Sequence, residues 1–189
     1  SRALGIHVAY GPVLDVNNNP ANPVIGSRSF SEDPALVARL GAAMVRGIQD
    51  HGMLATGKHF PGHGDTETNS HLALAAVTAS RARLDSVELV PFKAAIASGI
   101  GAIMTFHGFL PALDSTPVPA TLSPVVMTTL LRDELGFGGI LRGGIGSTFQ
   151  SPSGVGVLGH ESMSGEPFDR IAAARPRSFS TPSTPGTSG

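Results

Sequence analysis

The feature that most constrains this chain is a rhythm. Three times between residues 5 and 139, a short apolar run ends in polar residues and leads to an amphipathic helical stretch. GIHVAYGPVLDV (5–16) reads as a strand interrupted near Gly11–Pro12. Beyond the turn-rich NNNPANP, Leu36, Val37, Leu40, Met44, Val45 and Ile48 recur at helical spacing. Glu32, Asp33 and Pro34 suit the start of that helix, and Gly52 suits its stop. MLATGKHF (53–60) is the second strand. Ser80 can cap a helix over 81–98, with Leu84, Leu89, Phe92 and Ile96 on its apolar surface and Pro91 placed to kink or divide it. GAIMTFH (101–107) is the third strand, and Ser123–Pro124 opens a helix through Leu135. Strands joined by helices return in the same direction, so the pattern predicts an α/β fold of parallel βα units. Active sites in such folds gather beyond the C-terminal strand ends. Asp15, Lys58, His59 and His107 all fall there.

The rhythm stops near Leu141. Of the 49 residues from 141 to 189, 23 are Gly, Ser or Pro, and RPRSFSTPSTPGTSG has no apolar periodicity. The chain is therefore expected to divide into an ordered region, 1–140, and an anomalous tail, 141–189, whose end stays disordered. At 189 residues it can build a sizeable core but is short for a complete eight-unit barrel, which takes about 250. A net charge of −1 gives no reason to expect nucleic acid or an anionic membrane as a partner. Lack of cysteine excludes disulfides and thiolate metal sites. No apolar run is long enough for a membrane span, and no signal peptide is visible, which favours a cytoplasmic location. A start without Met, almost directly in a strand, suggests a fragment or processed product.

The densest chemistry lies in KHFPGHGDTETNSH, residues 58–71. His59 and His63 have the four-residue spacing of helical zinc ligands, but Pro61–Gly62 opposes a helix, leaving only a loop site with Asp65. GHG and GGIGS lack the spacing of phosphate-binding loops. A carbohydrate site fits the side chains better. Sugar hydroxyls need short directional donors and acceptors, which Asp15, Arg28, Lys58 and His59 can supply. Cleaving a glycosidic bond also needs a proton for the leaving oxygen, and His71 is a candidate acid, with Asn69 two positions before it. Structural roles compete at each position. Asp15 can bridge the turn at Asn17–Asn19, Arg28 can pair with Glu32 or Asp33, Lys58, Asp65 and Glu67 can be solvated, and His59, His63 and His107 can be core-edge histidines.

The ordered series PVLDV, RSFSEDP, KHFPGHG and SH, continued by ELVPFKAAIASGIGAIMTFH and PATLSPVVMTTLLRDELGF, resembles glycoside hydrolase family 3 over about residues 5–139. The resemblance is to its β-N-acetylhexosaminidase-like branch, with a β-glucosidase assignment as the alternative. It implies part of a (β/α)8 TIM-type barrel that removes a terminal β-linked sugar or amino sugar with retention, and no cofactor. Asp15, Arg28, Lys58 and His59 would contact that sugar, and His71 would be the acid/base. Two departures matter. The branch has Asp-Ser-His where this chain has Asn69-Ser70-His71, and an amide does not stabilise imidazolium as a carboxylate does. The family's nucleophilic Asp follows a Gly-Phe-Asp-Gly segment. Here that segment is GFGGILRGG and the matching position is Gly144; Asp133, Glu134 and Asp169 do not match. The chain is thus expected to be impaired or inactive, with a noncatalytic carbohydrate-binding remnant as the alternative. A frame shift, a faulty gene model or truncation near Ile140 would explain the tail.

Overall fold

A computed structural model describes residues 1–67, 75–143, 149–151 and 154–156. The expected roles of Asn69, His71, Gly144 and Asp169, and the order of the tail beyond residue 156, fall outside them.

The βα rhythm is realised as parallel pairing. Strands β1 (Val8–Ala9), β2 (Leu54–Phe60), β4 (Ala102–Thr105) and β6 (Ile140–Arg142) lie side by side in that order, each pair parallel. Helix α1 (Pro34–Asp50) joins β1 to β2, α2 (Arg81–Ser86) and α3 (Leu89–Ala97) lie between β2 and β4, and α4 (Val125–Glu134) precedes β6. A small parallel pair, β3 (Ala75–Ala76) with β5 (Gly108–Phe109), stands apart from the main sheet. Four parallel strands with their intervening helices are the architecture of an incomplete (β/α)8 barrel. The sheet continues past Arg142 through two antiparallel strands, β7 (Phe149–Ser151) and β8 (Gly154–Gly156).

Local chemistry explains the element bounds. Asp33 caps α1 by accepting from Ala35 N at 2.9 Å, and Pro34 occupies the first turn, where its missing N–H costs nothing. Gly52, at φ +78°, follows the end of α1. The helical stretch expected over 81–98 is divided, but not at Pro91. Ser80 Oγ accepts from Arg83 N at 3.2 Å and starts α2, but the chain breaks at Val87–Glu88, before Pro91. Pro91 then sits in the first turn of α3, where proline is tolerated. The last helix begins as expected, with Ser123 Oγ accepting from Val126 N at 3.2 Å. It winds wider than an α-helix: Leu135 N reaches Leu130 O, five residues back, at 3.0 Å.

Alternation divides the sheet into two faces. Ala55, Ile103 and Leu141 join Leu14, Val45, Leu84, Leu89, Phe92 and Leu130 in one core beneath the helices. On the opposite face, Lys58, Met104 and Arg142 are register partners across β2, β4 and β6. The Arg142 guanidinium lies 4.3 Å from the Tyr10 ring centroid, a cation–π contact. The register shifts between Lys58 and Phe60, and Phe60 is buried edge-on against Phe92, with centroids 5.2 Å apart. Among the described residues, no helix is long and apolar enough to cross a membrane.

Candidate sugar-binding site

The chain carries Asp15 to the end of β2 by pairing. Lys58 N donates to Pro12 O at 3.1 Å, and Leu14 N donates to Lys58 O at 2.6 Å. Leu14 is buried against Gly41 and Gly57 in the core. Asp15, the next residue, meets the segment beyond Lys58. The Gly11–Pro12, Lys58–His59 and Phe60–Pro61 peptide bonds are cis.

The Asp15 carboxylate organises both segments. Its Oδ2 lies 2.7 Å from His59 Nδ1, and its Oδ1 accepts from His63 N at 2.8 Å. His59 N is shared between the two oxygens at 3.2 and 3.3 Å. A carboxylate has no hydrogen to give, so the hydrogen of this contact sits on His59 Nδ1. Among the described residues, three donors thus hold the carboxylate, two of them from His59. The Asp15 side chain is fully covered, while that of His59 is 17% exposed. Burial pushes the Asp15 carboxyl upward, but the charge and hydrogen bond of His59 outweigh it and hold the group below the usual carboxylate range.

His63 is placed differently. It is 2% exposed, and its Nδ1 lies 2.6 Å from Thr66 Oγ1. Its ring packs on Phe106 with centroids 4.4 Å apart. Burial pushes its pKa down to about 4, against the pull of Asp15. His63 is therefore neutral near pH 7, and what it offers Asp15 is its backbone N–H.

Lys58 is half-buried beside this pair. Burial lowers its pKa first and the Arg28 charge lowers it further, while Asp15 pulls the other way. Arg28, Lys58 and Asp15 thus share one electrostatic neighbourhood. Arg28 is exposed, and its Nη1 donates to Val24 O at 3.2 Å. No ion pair joins it to Glu32 or Asp33 among the described residues; Asp33 is the α1 cap. Arg28 thus acts on Lys58 through its charge, Lys58 and Asp15 attract each other, and Asp15 bonds His59. His107 is half-buried, with Nδ1 3.4 Å from Thr121 Oγ1. Asp65 is half-buried and Glu67 exposed. Among the described residues, no group of three or more His, Asp or Glu side chains is placed to hold a metal ion.

Several supporting residues were not singled out by sequence. Asn22 Nδ2 donates to His63 O at 2.7 Å and Gly64 O at 3.0 Å, while its Oδ1 accepts from Val24 N and Ile25 N. It ties the NNNPANP turn to the GHG turn. Gly64 fits only because it has no side chain: a Cβ there would run into the Val16 backbone. The sole sequence signal was the density of Asn and Gly, which reads equally well as ordinary turn chemistry.

The sequence profile described as "Glycosyl hydrolase family 3 N terminal domain" matches residues 1–145. The chain belongs to glycosyl hydrolase family 3. Among family relatives, β-hexosaminidase A of Pseudoalteromonas piscicida is 47% identical over 149 residues, which span 73% of this chain and 25% of that protein. The β-hexosaminidase of Stenotrophomonas maltophilia strain K279a is 43% identical over 140 residues, covering 74% of this chain and 41% of its own length. The chain thus spans less than half of these curated family members. A family 3 β-N-acetylglucosaminidase from Paenibacillus sp. str. FPU-7 superposes with a TM-score of 0.75 and 55% identity, covering 76% of this chain and 27% of that one. NagZ from Neisseria gonorrhoeae, solved in complex with N-trifluoroacetyl-D-glucosamine, gives a TM-score of 0.68 at 39% identity, covering 74% and 40%.

Proposed function

We propose that this chain carries the sugar-contact half of a retaining β-N-acetylhexosaminidase-like site and has little or no turnover as it stands. The observation that carries the reading is the Asp15–His59 pair, with Nδ1 2.7 Å from the carboxylate and Lys58 and Arg28 beside it. The partly exposed His59 ring, oriented by Asp15, bonds a sugar hydroxyl, and Lys58 and Arg28 donate to hydroxyl oxygens. The relatives named as β-hexosaminidases and β-N-acetylglucosaminidases favour an amino sugar over glucose.

In the complete parent reaction, a carboxylate attacks the anomeric carbon while an acid protonates the leaving oxygen; the acid then activates water against the glycosyl intermediate. His71 is the proposed acid/base and Asn69 its orienting neighbour. Gly144 stands at the nucleophile position with no side chain to attack. That glycine favours the second reading, a noncatalytic carbohydrate-binding remnant. Incubation with a chromogenic β-N-acetylglucosaminide, alongside direct titration with N-acetylglucosamine, decides between them. Sugar binding with no chromophore release supports the remnant, and release at a rate typical of the family rejects impairment. Failure to bind N-acetylglucosamine at millimolar concentration removes the sugar-site reading itself.

A further inference from the structure

A buried carboxylic side chain outside the direct contact set joins the two segments of the site. Glu88 lies between α2 and α3, and its side chain is 1% exposed. Oε1 accepts from Asn18 Nδ2 at 3.3 Å and stands 3.6 Å from Arg83 Nε. Oε2 is buried, with no hydrogen-bond partner among the described residues. A buried polar atom left unpaired is unfavourable, so packing must hold the side chain where it is. The packing partner is Gly62: a Cβ added there would lie 2.7 Å from Glu88 Cβ and 2.9 Å from Cγ. Gly62 has φ +141°, where glycine is favoured, and its N–H donates to His59 O at 2.8 Å. It sits between the two histidines that grip Asp15. Asn18 lies three residues after Asp15 on the other segment. Leu89 and Phe92, just after Glu88, are fully buried, so the carboxyl projects from a rigid frame.

We propose that Glu88 is a positioning residue of the sugar site: wedged under Gly62 and bonded to Asn18, it sets the spacing between the Asp15 segment and the His59–His63 turn. This rests on the sugar-site reading above. Glu88 touches no ligand. Its methylenes support the turn from below, and its Oε1 holds the neighbouring loop. Burial, with a contribution from Asp65, pushes its pKa up despite Arg83 and the Asn18 hydrogen bond. Glutamine keeps the methylenes packed on Gly62 and an Oε1 acceptor for Asn18, so it should replace Glu88 well.

The test titrates N-acetylglucosamine into the full chain and its variants, each checked for folding by circular dichroism. Glu88→Ala should weaken affinity about tenfold or more, Glu88→Gln should stay within about threefold of wild type, and Asn18→Ala should lose a comparable factor. The double variant Glu88→Ala/Asn18→Ala should lose less than the product of the single effects, because both remove one contact. Should Glu88→Ala unfold, Glu88→Gln and Asn18→Ala carry the test. Wild-type binding that Asn18→Ala and the folded Glu88 variants leave within twofold overturns the inference alone. Amide replacement that weakens binding as much as alanine overturns it too. No binding by wild type overturns the sugar-site reading and takes this inference with it.

Discussion

Asp15 stands where two segments, 44 residues apart in sequence, share one carboxylate. Removing it leaves two backbone N–H groups and a ring N–H around an empty space. Asp15→Ala should cost about 3 kcal/mol, the scale of breaking a buried charge-assisted network, and should also abolish sugar affinity. Urea unfolding and sugar titration measure the two effects separately. His63 supplies a pH signature at the same scale. Its folded pKa of about 4 lies below the ordinary 6.5, so the unfolded chain binds more protons between those values. The neutral His63 contribution is complete above about pH 6.5 and is lost as the pH falls towards 4, a change of about 3 kcal/mol. Denaturant unfolding across this window should show the slope in wild type and a flatter profile in His63→Gln. Asp15, whose carboxyl is held below 3.8, loses its contribution only at still lower pH.

At the scale of elements, the site is a meeting of loops held by a frame. The frame is legible in the sequence because helices and strands announce themselves by local periodicity. The helix expected to run from the Pro34 region through Gln49 is observed as Pro34–Asp50, and the strand expected in 53–60 as Leu54–Phe60. The sequence points to a division of the 81–98 helix at Pro91, because proline lacks the N–H that a helix interior uses, whereas the observed break falls at Val87–Glu88 and Pro91 lies in the first turn of α3. Two substitutions separate frame from site. Asp33→Ala removes the α1 cap and should cost about 1 kcal/mol, read as a lower urea midpoint, with sugar affinity unchanged. Gly64→Ala forces a methyl into the Val16 backbone, next to Asp15. It should cost at least ~2 kcal/mol and weaken sugar binding as well, since neither backbone can yield without moving Asp15 or His63. Equal affinity in Gly64→Ala and wild type would show that the turn spacing does not govern the site.

Across the whole molecule, four parallel strands form one part of a barrel wall, and the two ends of the sheet differ. At one, β1 is only two residues long, and a short edge limits pairing with other chains. At the other, β7 and β8 extend the sheet beyond β6. Leu4 and Leu122, 84% and 61% exposed, are apolar groups that the described residues leave uncovered. On the proposed reading, turnover requires a carboxylate opposite the acid, as any retaining site does. In a chimera joining residues 1–139 to the remaining barrel of a family relative, turnover should be measurable but weak. Asn69→Asp should raise kcat at least tenfold by stabilising the imidazolium of His71, a smaller effect than the ~10⁴ seen for the analogous exchange in a serine-protease triad. A chromogenic assay of the two chimeras reads this directly, and equal rates would remove Asn69 from the account of impairment.

The amino-acid order by itself determined the α/β class and the alternation of the main strands and helices, and it nominated Asp15, Arg28, Lys58 and His59 as candidates, because periodicity, capping and motif spacing are local properties of a chain. It could not reveal that Asp15 is covered and holds two histidines, that His63 offers a backbone N–H, or that Asn22 and Glu88 brace the loops. Those facts depend on which distant segments touch. Tertiary packing decides that, through the register of β2 and the close approach of Gly62 and Gly64 to Glu88 and Val16.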